Sequence, residues 1–131
     1  MIFENLTIEK ARYLLNSRKI SAVELTQHYL NTIESKNKEL NAFLSVSESA
    51  LEQARQADKI LTDKKSGELT GIPLAIKDNI LVKDEVCTAG SKILESYKAS
   101  YNATVIDRLK KAGTVILGKT NLDEYGMGSS T

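Results

Sequence analysis

Apolar residues in the first 65 positions recur three and four apart, the helical period. Ala22, Leu25, Tyr29 and Ile33 share one face of a predicted helix, and Ala50, Ala54, Ala57 and Leu61 share one face of another. Each run is introduced by Ser-x-x-Glu, Ser21 to Glu24 and Ser49 to Glu52. That is the capping-box pattern, in which serine and glutamate satisfy each other's unpaired backbone N–H groups. The small alanines of the later helix allow a neighbouring layer to come close. A shorter helix is predicted over Thr7 to Asn16, and Ala42-Phe43-Leu44-Ser45-Val46, short and partly alternating, reads as a strand.

The pattern changes at Lys64-Lys65-Ser66-Gly67, a solvated turn. Gly71-Ile72-Pro73-Leu74-Ala75-Ile76 then reads as a strand, with Ile72, Leu74 and Ile76 facing one way and Pro73, Ala75 and Lys77 the other. Pro73 cannot donate to a ladder, which confines it to a strand start or a sheet edge. Asn102 to Ala112 is predicted as an amphipathic helix with Val105, Leu109 and Ala112 on one side. Lys110 and Lys111 complement its C-terminal dipole, and Gly113 supplies the stop. Val115-Ile116-Leu117 follows as a buried strand. Strand, crossover helix and strand make a βαβ unit, so these two strands should be parallel. The predicted fold class is α/β, with a helical layer over about residues 7–65 and a strand–helix–strand region over about 71–131.

Composition narrows the function classes. Across 131 residues, 41% hydrophobic and 27% charged is the balance of a globular domain, and 18 basic against 17 acidic residues leave a net charge of +1. No basic surplus marks a direct nucleic-acid surface. The lone Cys87 cannot form an internal disulfide, and neither it nor His28 sits in a metal-binding cluster of Cys and His. The opening Met1-Ile2-Phe3-Glu4-Asn5 lacks the basic and apolar segments of a secretion signal, and no window approaches a membrane span. A cytoplasmic location is expected, and the sequons at Asn5 and Asn102 are discounted accordingly.

Lys77 is the chemical anomaly. A lysine closing an apolar run is commonly the point where a strand emerges into water. The functional alternative is a desolvated lysine, whose pKa can fall by up to about 3–5 pH units on full burial, leaving it neutral enough to act as a base. Pattern alone leaves both readings open. His28, on the polar side of its helix with Glu24 and Asn31, is expected at the surface, and Cys87 is expected to be a small filler in a loop. Asp78 and Asn79 are expected to hold the loop after the strand, and Asp123 and Glu124 to favour a helix start. Gly126-Met127-Gly128-Ser129-Ser130 suits a loop that wraps a ligand. Such a loop needs scaffold on both sides, so the chain is expected to be the N-terminal part of something larger.

Four blocks in order and in register resemble the amidase signature family. They are Gly71 to Asn79, Thr88-Ala89-Gly90-Ser91, Gly113 to Gly118, and Lys119-Thr120-Asn121-Leu122-Asp123-Glu124-Tyr125. The Asp-Glu-Tyr-Gly-Met-Gly-Ser-Ser form of the last block is most similar to the tRNA-dependent amidotransferase branch. The resemblance implies a large α/β fold with a mixed central sheet and a Ser–cis-Ser–Lys triad, with Lys77 in the place of the catalytic lysine. It implies glutamine as the amide donor and Met127, Gly128, Ser129 and Ser130 as lining of its pocket, although plain loop structure accounts for those four equally well. The bridging and nucleophilic serines of the family belong to a Gly-Gly-Ser-Ser-Gly-Gly-Ser segment that these 131 residues do not contain. Ser129 and Ser130 are therefore read as pocket, not nucleophile. Implied partners are companion B and C subunits and, through the complex, aminoacyl-tRNA. The resemblance places ATP and Mg with one of those partners and implies no cofactor in this chain. A broad-specificity amidase and a non-catalytic binding module are the alternatives.

Overall fold

The computed structural model describes residues 3, 5–63 and 65–128; Met1, Ile2, Glu4, Lys64, Ser129 and Ser130, named above, and Thr131 lie outside the described residues. Thr7 starts helix α1 (Ile8–Asn16), its hydroxyl accepting from the Lys10 N–H at 3.2 Å. The first predicted capping box forms at the start of α2 (Ala22–Leu40). Ser21 Oγ accepts from the Glu24 N–H at 3.0 Å, and the Glu24 carboxylate accepts from the Ser21 N–H at 2.8 Å. Asp58 accepts from the next two N–H groups, Ala22 at 2.7 Å and Val23 at 3.1 Å, placing a negative charge on the positive end of the helix dipole. The Asn37 amide then brackets the backbone of Phe43 and turns the chain into strand β1 (Phe43–Val46).

The second predicted capping box does not form. Ser49, before α3 (Ala50–Thr62), already has helical dihedrals (φ −89°, ψ 0°), so its hydroxyl cannot reach back over the first turn. It accepts instead from Gln53 Nε2 at 2.8 Å, while Glu52 pairs with Arg55 at 3.2 Å. The alanine face behaves as predicted: Ala50, Ala54 and Ala57 are all buried.

Strand β2 (Pro73–Lys77), helix α4 (Thr104–Lys111) and strand β3 (Val115–Thr120) form the predicted crossover. Among the described residues the sheet has the order β1-β3-β2, with β1 antiparallel and β2 parallel to β3. Pro73 is thus the first residue of an outer strand. Between Leu74 and Ala75 the register slips by one, Leu117 being the extra residue on β3.

Two cores flank the sheet. One gathers Leu15, Leu25, Ala54, Ile72 and Val115 under α1–α3; the other joins Ile76, Val82, Ile106 and Ile116. Successive strand residues Val115 and Ile116 belong to different cores, as residues on opposite faces should. Two expectations need correcting. Ile72, just before β2, joins the first core and Ile76 the second, with Leu74 touching both, so the three do not share a single apolar face. In α4 the innermost residue is the fully buried Ile106, with Leu109 packed on the same core as predicted, while Val105 is half exposed; Ile106 takes the inward place expected of Val105.

Candidate active site

The C-terminal ends of the parallel strands β2 and β3 converge with two loops, 87–91 and 121–128. Lys77, the last residue of β2, is exposed, so the water-facing reading of its side chain describes this structure. Its amine lies against the short turn Glu124–Gly126. A Cβ built on Gly126 would stand 3.8 Å from Lys77 Nζ and 3.3 Å from Asn79 Nδ2. Gly126 also has φ +72°, which glycine adopts without strain. Met127 projects outward at 79% exposure, and Gly128 is exposed beside it. The structure therefore brings the exposed Lys77 amine, Asn79 and the start of the predicted pocket loop together; Ser129 and Ser130 lie outside the described residues.

Directly beneath Lys77 is a buried polar cluster. Asp78 is 1% exposed, and its carboxylate accepts from Lys119 Nζ at 2.7 Å, from the Thr88 N–H at 2.9 Å and from the Thr88 hydroxyl at 2.5 Å. Its backbone is as fully engaged. The Asp78 N–H donates to the Thr120 carbonyl, and its own carbonyl accepts from the Ala89 N–H at 3.0 Å and the Cys87 thiol at 3.2 Å. Lys119, fully buried, also donates to the Val86 carbonyl at 3.3 Å. A charge this deep in protein is tolerated only when paired and hydrogen-bonded, and both members of this pair are. Cys87 fills the space beside them, as expected of a loop filler; burial pushes its thiol pKa up, against the pull of the neighbouring Lys119 charge.

The two loops are stitched to each other. Tyr125 N–H donates to the Ala89 carbonyl at 2.7 Å, and the buried Ser91 hydroxyl donates to the Glu124 carboxylate at 2.6 Å. Gly90 lies so close to the Leu122 carbonyl oxygen that a Cβ would come within 2.8 Å of it. Ala89 (φ 50°) and Tyr125 (φ 57°) are both non-glycine residues in the left-handed region, a conformation that clusters at functional sites.

Asp78 holds the loop after β2, as the sequence indicates, and Asp123 and Glu124 begin only a short 3-10 turn. His28 is the exception to its reading: Phe3 folds back over α2 and stacks on it at 4.6 Å, leaving it half-buried. The residue that the sequence pattern does not single out is Lys119, because the predicted third strand ends at Leu117. The available signal was a lysine two residues beyond an unbroken apolar run, in a strand predicted to lie parallel to the one that ends just before the acidic Asp78. Among the described residues no group of three or more His, Cys, Asp or Glu could hold a metal ion, and no helix is long and apolar enough to cross a membrane.

Comparison with known proteins agrees with this architecture. The Amidase family model matches residues 24–131. The chain is 53% identical over 117 residues to the glutamyl-tRNA(Gln) amidotransferase A subunit of Nitrosococcus oceani, covering 88% of this chain and 24% of that protein. It is 48% identical over its whole length to the corresponding protein of Ruminiclostridium cellulolyticum, of the same name, covering 27% of it. The chain thus spans about a quarter of the length of the curated relatives it matches. Among solved structures, the native peptide amidase of Stenotrophomonas maltophilia superposes with a TM-score of 0.89 at 31% identity, over 94% of this chain and 26% of that one. A mixed α/β sheet with the strand-end site just described and a family match over most of its residues lead to one conclusion: the chain belongs to the amidase family.

Proposed function

We propose that this chain supplies the lysine-bearing part of a glutamine-hydrolysing site that delivers ammonia for tRNA-dependent amidation. The observation that carries the reading is the placement of Lys77 at the strand end against the Glu124–Gly126 turn, in a chain 53% identical to a protein named as a glutamyl-tRNA(Gln) amidotransferase component. In this reading Lys77 is the base. It withdraws a proton, through a bridging serine, from the serine that attacks the carboxamide carbon. An acyl-enzyme forms, ammonia leaves and water releases glutamate, so that covalent catalysis divides one difficult step into two. Met127 and Gly128, with Ser129 and Ser130, line the pocket for glutamine.

The Lys77 amine is exposed here, and in this reading a further surface covers it. The relatives are about four times as long as this chain, and in this reading the covering surface and both serines come from sequence of that kind. The ammonia is used by companion B and C subunits acting on aminoacyl-tRNA, where ATP and Mg are consumed; the chain itself takes no cofactor.

Two experiments test the reading. Sequencing the source transcript through and past the Thr131 codon is the first; continuation into a Gly-Gly-Ser-Ser-Gly-Gly-Ser segment supports it. The second is a glutamine hydrolysis assay on the protein expressed from its complete reading frame. Lys77→Ala should lower kcat by about 10²–10⁴-fold, the usual worth of a general base, and a variant as fast as the parent refutes the assignment. Residues 1–131 alone should not hydrolyse glutamine. A second reading, a broad-specificity amidase, is favoured by the likeness to the peptide amidase; a substrate panel without preference for glutamine would select it.

A further inference from the structure

Among the described residues, Asp78 and Lys119 are the two charged side chains that are buried. Replacing a buried ion pair by apolar residues of similar size is often neutral or stabilising, so such a pair is weak evidence for a purely stabilising role. The geometry around this pair supplies another role. Asp78 follows Lys77 directly, so whatever fixes the Asp78 backbone fixes the origin of the Lys77 side chain. Both backbone groups of Asp78 and both of its carboxylate oxygens are engaged. One of those bonds, from the Ala89 N–H to the Asp78 carbonyl at 3.0 Å, passes the constraint to the next loop. Ala89 hands it on through the bond from the Tyr125 N–H, and Gly126, the next residue, presents its bare Cα to the Lys77 amine. The circuit closes on the residue where it began. The left-handed Ala89 and Tyr125 are its joints, and such conformations persist only where their surroundings hold them.

We propose that Asp78 and Lys119 are positioning residues: their buried ion pair, completed by Thr88, locks the circuit that sets the Lys77 amine against the pocket loop. The inference rests on reading Lys77 as the base. A fluorophosphonate probe of serine nucleophiles, applied to the protein expressed from its complete reading frame, separates positioning from mere support of the fold. The labelling end point counts competent sites, and the labelling rate per site reports activation of the nucleophile by the lysine.

Asp78→Asn should keep the end point and lower the rate per site by about 10- to 100-fold, the scale of a misplaced catalytic group. A normal rate per site, whether the end point is full or reduced, overturns the proposal, because the pair then only supports folding. Should Asp78→Asn fail to fold, Thr88→Val decides, since it keeps the ion pair and removes the two hydrogen bonds of the Thr88 hydroxyl, one to Asp78 and one from the Gly90 N–H. A fall of about 3- to 10-fold is expected there, and an unchanged rate overturns the proposal. Lys77→Ala is the control for the underlying reading. If it labels at the parent rate, the base assignment fails; if it is silent while Asp78→Asn is normal, only the positioning role fails.

Discussion

Lys119 and Asp78 are 2.7 Å apart with side chains 0% and 2% exposed, so removing one charge strands the other in a medium that cannot solvate it. Lys119→Met should therefore destabilise the chain by about 3–5 kcal/mol, measured by urea unfolding. Gly118, the preceding residue, is constrained by space: a Cβ there would overlap the Ser45 carbonyl oxygen and come within 2.9 Å of Val46 Cα. Gly118→Ala should cost about 1–3 kcal/mol in the same assay by forcing β1 away from β3. Cys87 offers a check of a different kind. Burial raises its thiol pKa, so at a pH between the unfolded and folded values the thiol should resist iodoacetamide while folded and react, as thiolate, once unfolded. Because the folded value is the higher one, its contribution to stability is whole below the unfolded pKa and is lost as pH rises through the folded pKa. At this scale the sequence was half legible. Lys77 and Asp78 stand in a motif, whereas the depth of Lys119 depends on which side of β3 is covered, and that is settled by residues far away in the chain.

The two Ser-x-x-Glu starts make a controlled comparison between elements. Ser21→Ala removes a formed cap and should cost about 1 kcal/mol, whereas Ser49→Ala removes none and should stay within about 0.5 kcal/mol by urea midpoint. Glu24 carries the pH signature of the first. Hydrogen bonds from the Ser21 backbone and hydroxyl hold its carboxyl below the ordinary value. Its contribution is present above the unfolded pKa and is lost as pH falls through the folded one. A four-residue pattern states which groups could cap a helix; the backbone angle of Ser49, set by the turn out of β1, decides whether they do. Helix and strand identities were readable because periodicity is local, and α1, α2, α3, α4 and the parallel β2–β3 pair all formed where predicted. Which residue leads the inward face of α4 was not. Ile106 and Val105 are equally apolar, and the choice between them is made by the sheet beneath.

On the scale of the whole molecule, β1 and β2 each pair on one side only among the described residues, which leaves two outer edges. An apolar cleft of about 400 Å³, lined by Leu6, Tyr29, Ile33, Phe43, Ala75 and Leu117 among others, opens beside them. Unprotected edges next to apolar surface favour pairing between copies. Purified residues 1–131 should therefore self-associate with rising concentration in light scattering, and Ala75→Lys, which puts a charge on the exposed face of β2, should reduce this. A parent that stays monomeric throughout would count against the edges as the cause.

The sheet order has a further consequence, in time. Both outer strands pair only with β3, and β3 is the last of the three to leave the ribosome. Phe43 must wait for Thr120, and Pro73 for Val115, before either gains a partner. Until β3 emerges the nascent chain can hold helices but none of this sheet, with the apolar faces of α1–α3 lacking the surface they are built to cover. Formation of this sheet is then a single event of long sequence separation, the kind that folds slowly and is most exposed to aggregation on the way. A nascent chain arrested with Gly113 just outside the exit tunnel should be cut readily by protease, and one arrested beyond Leu122 should resist.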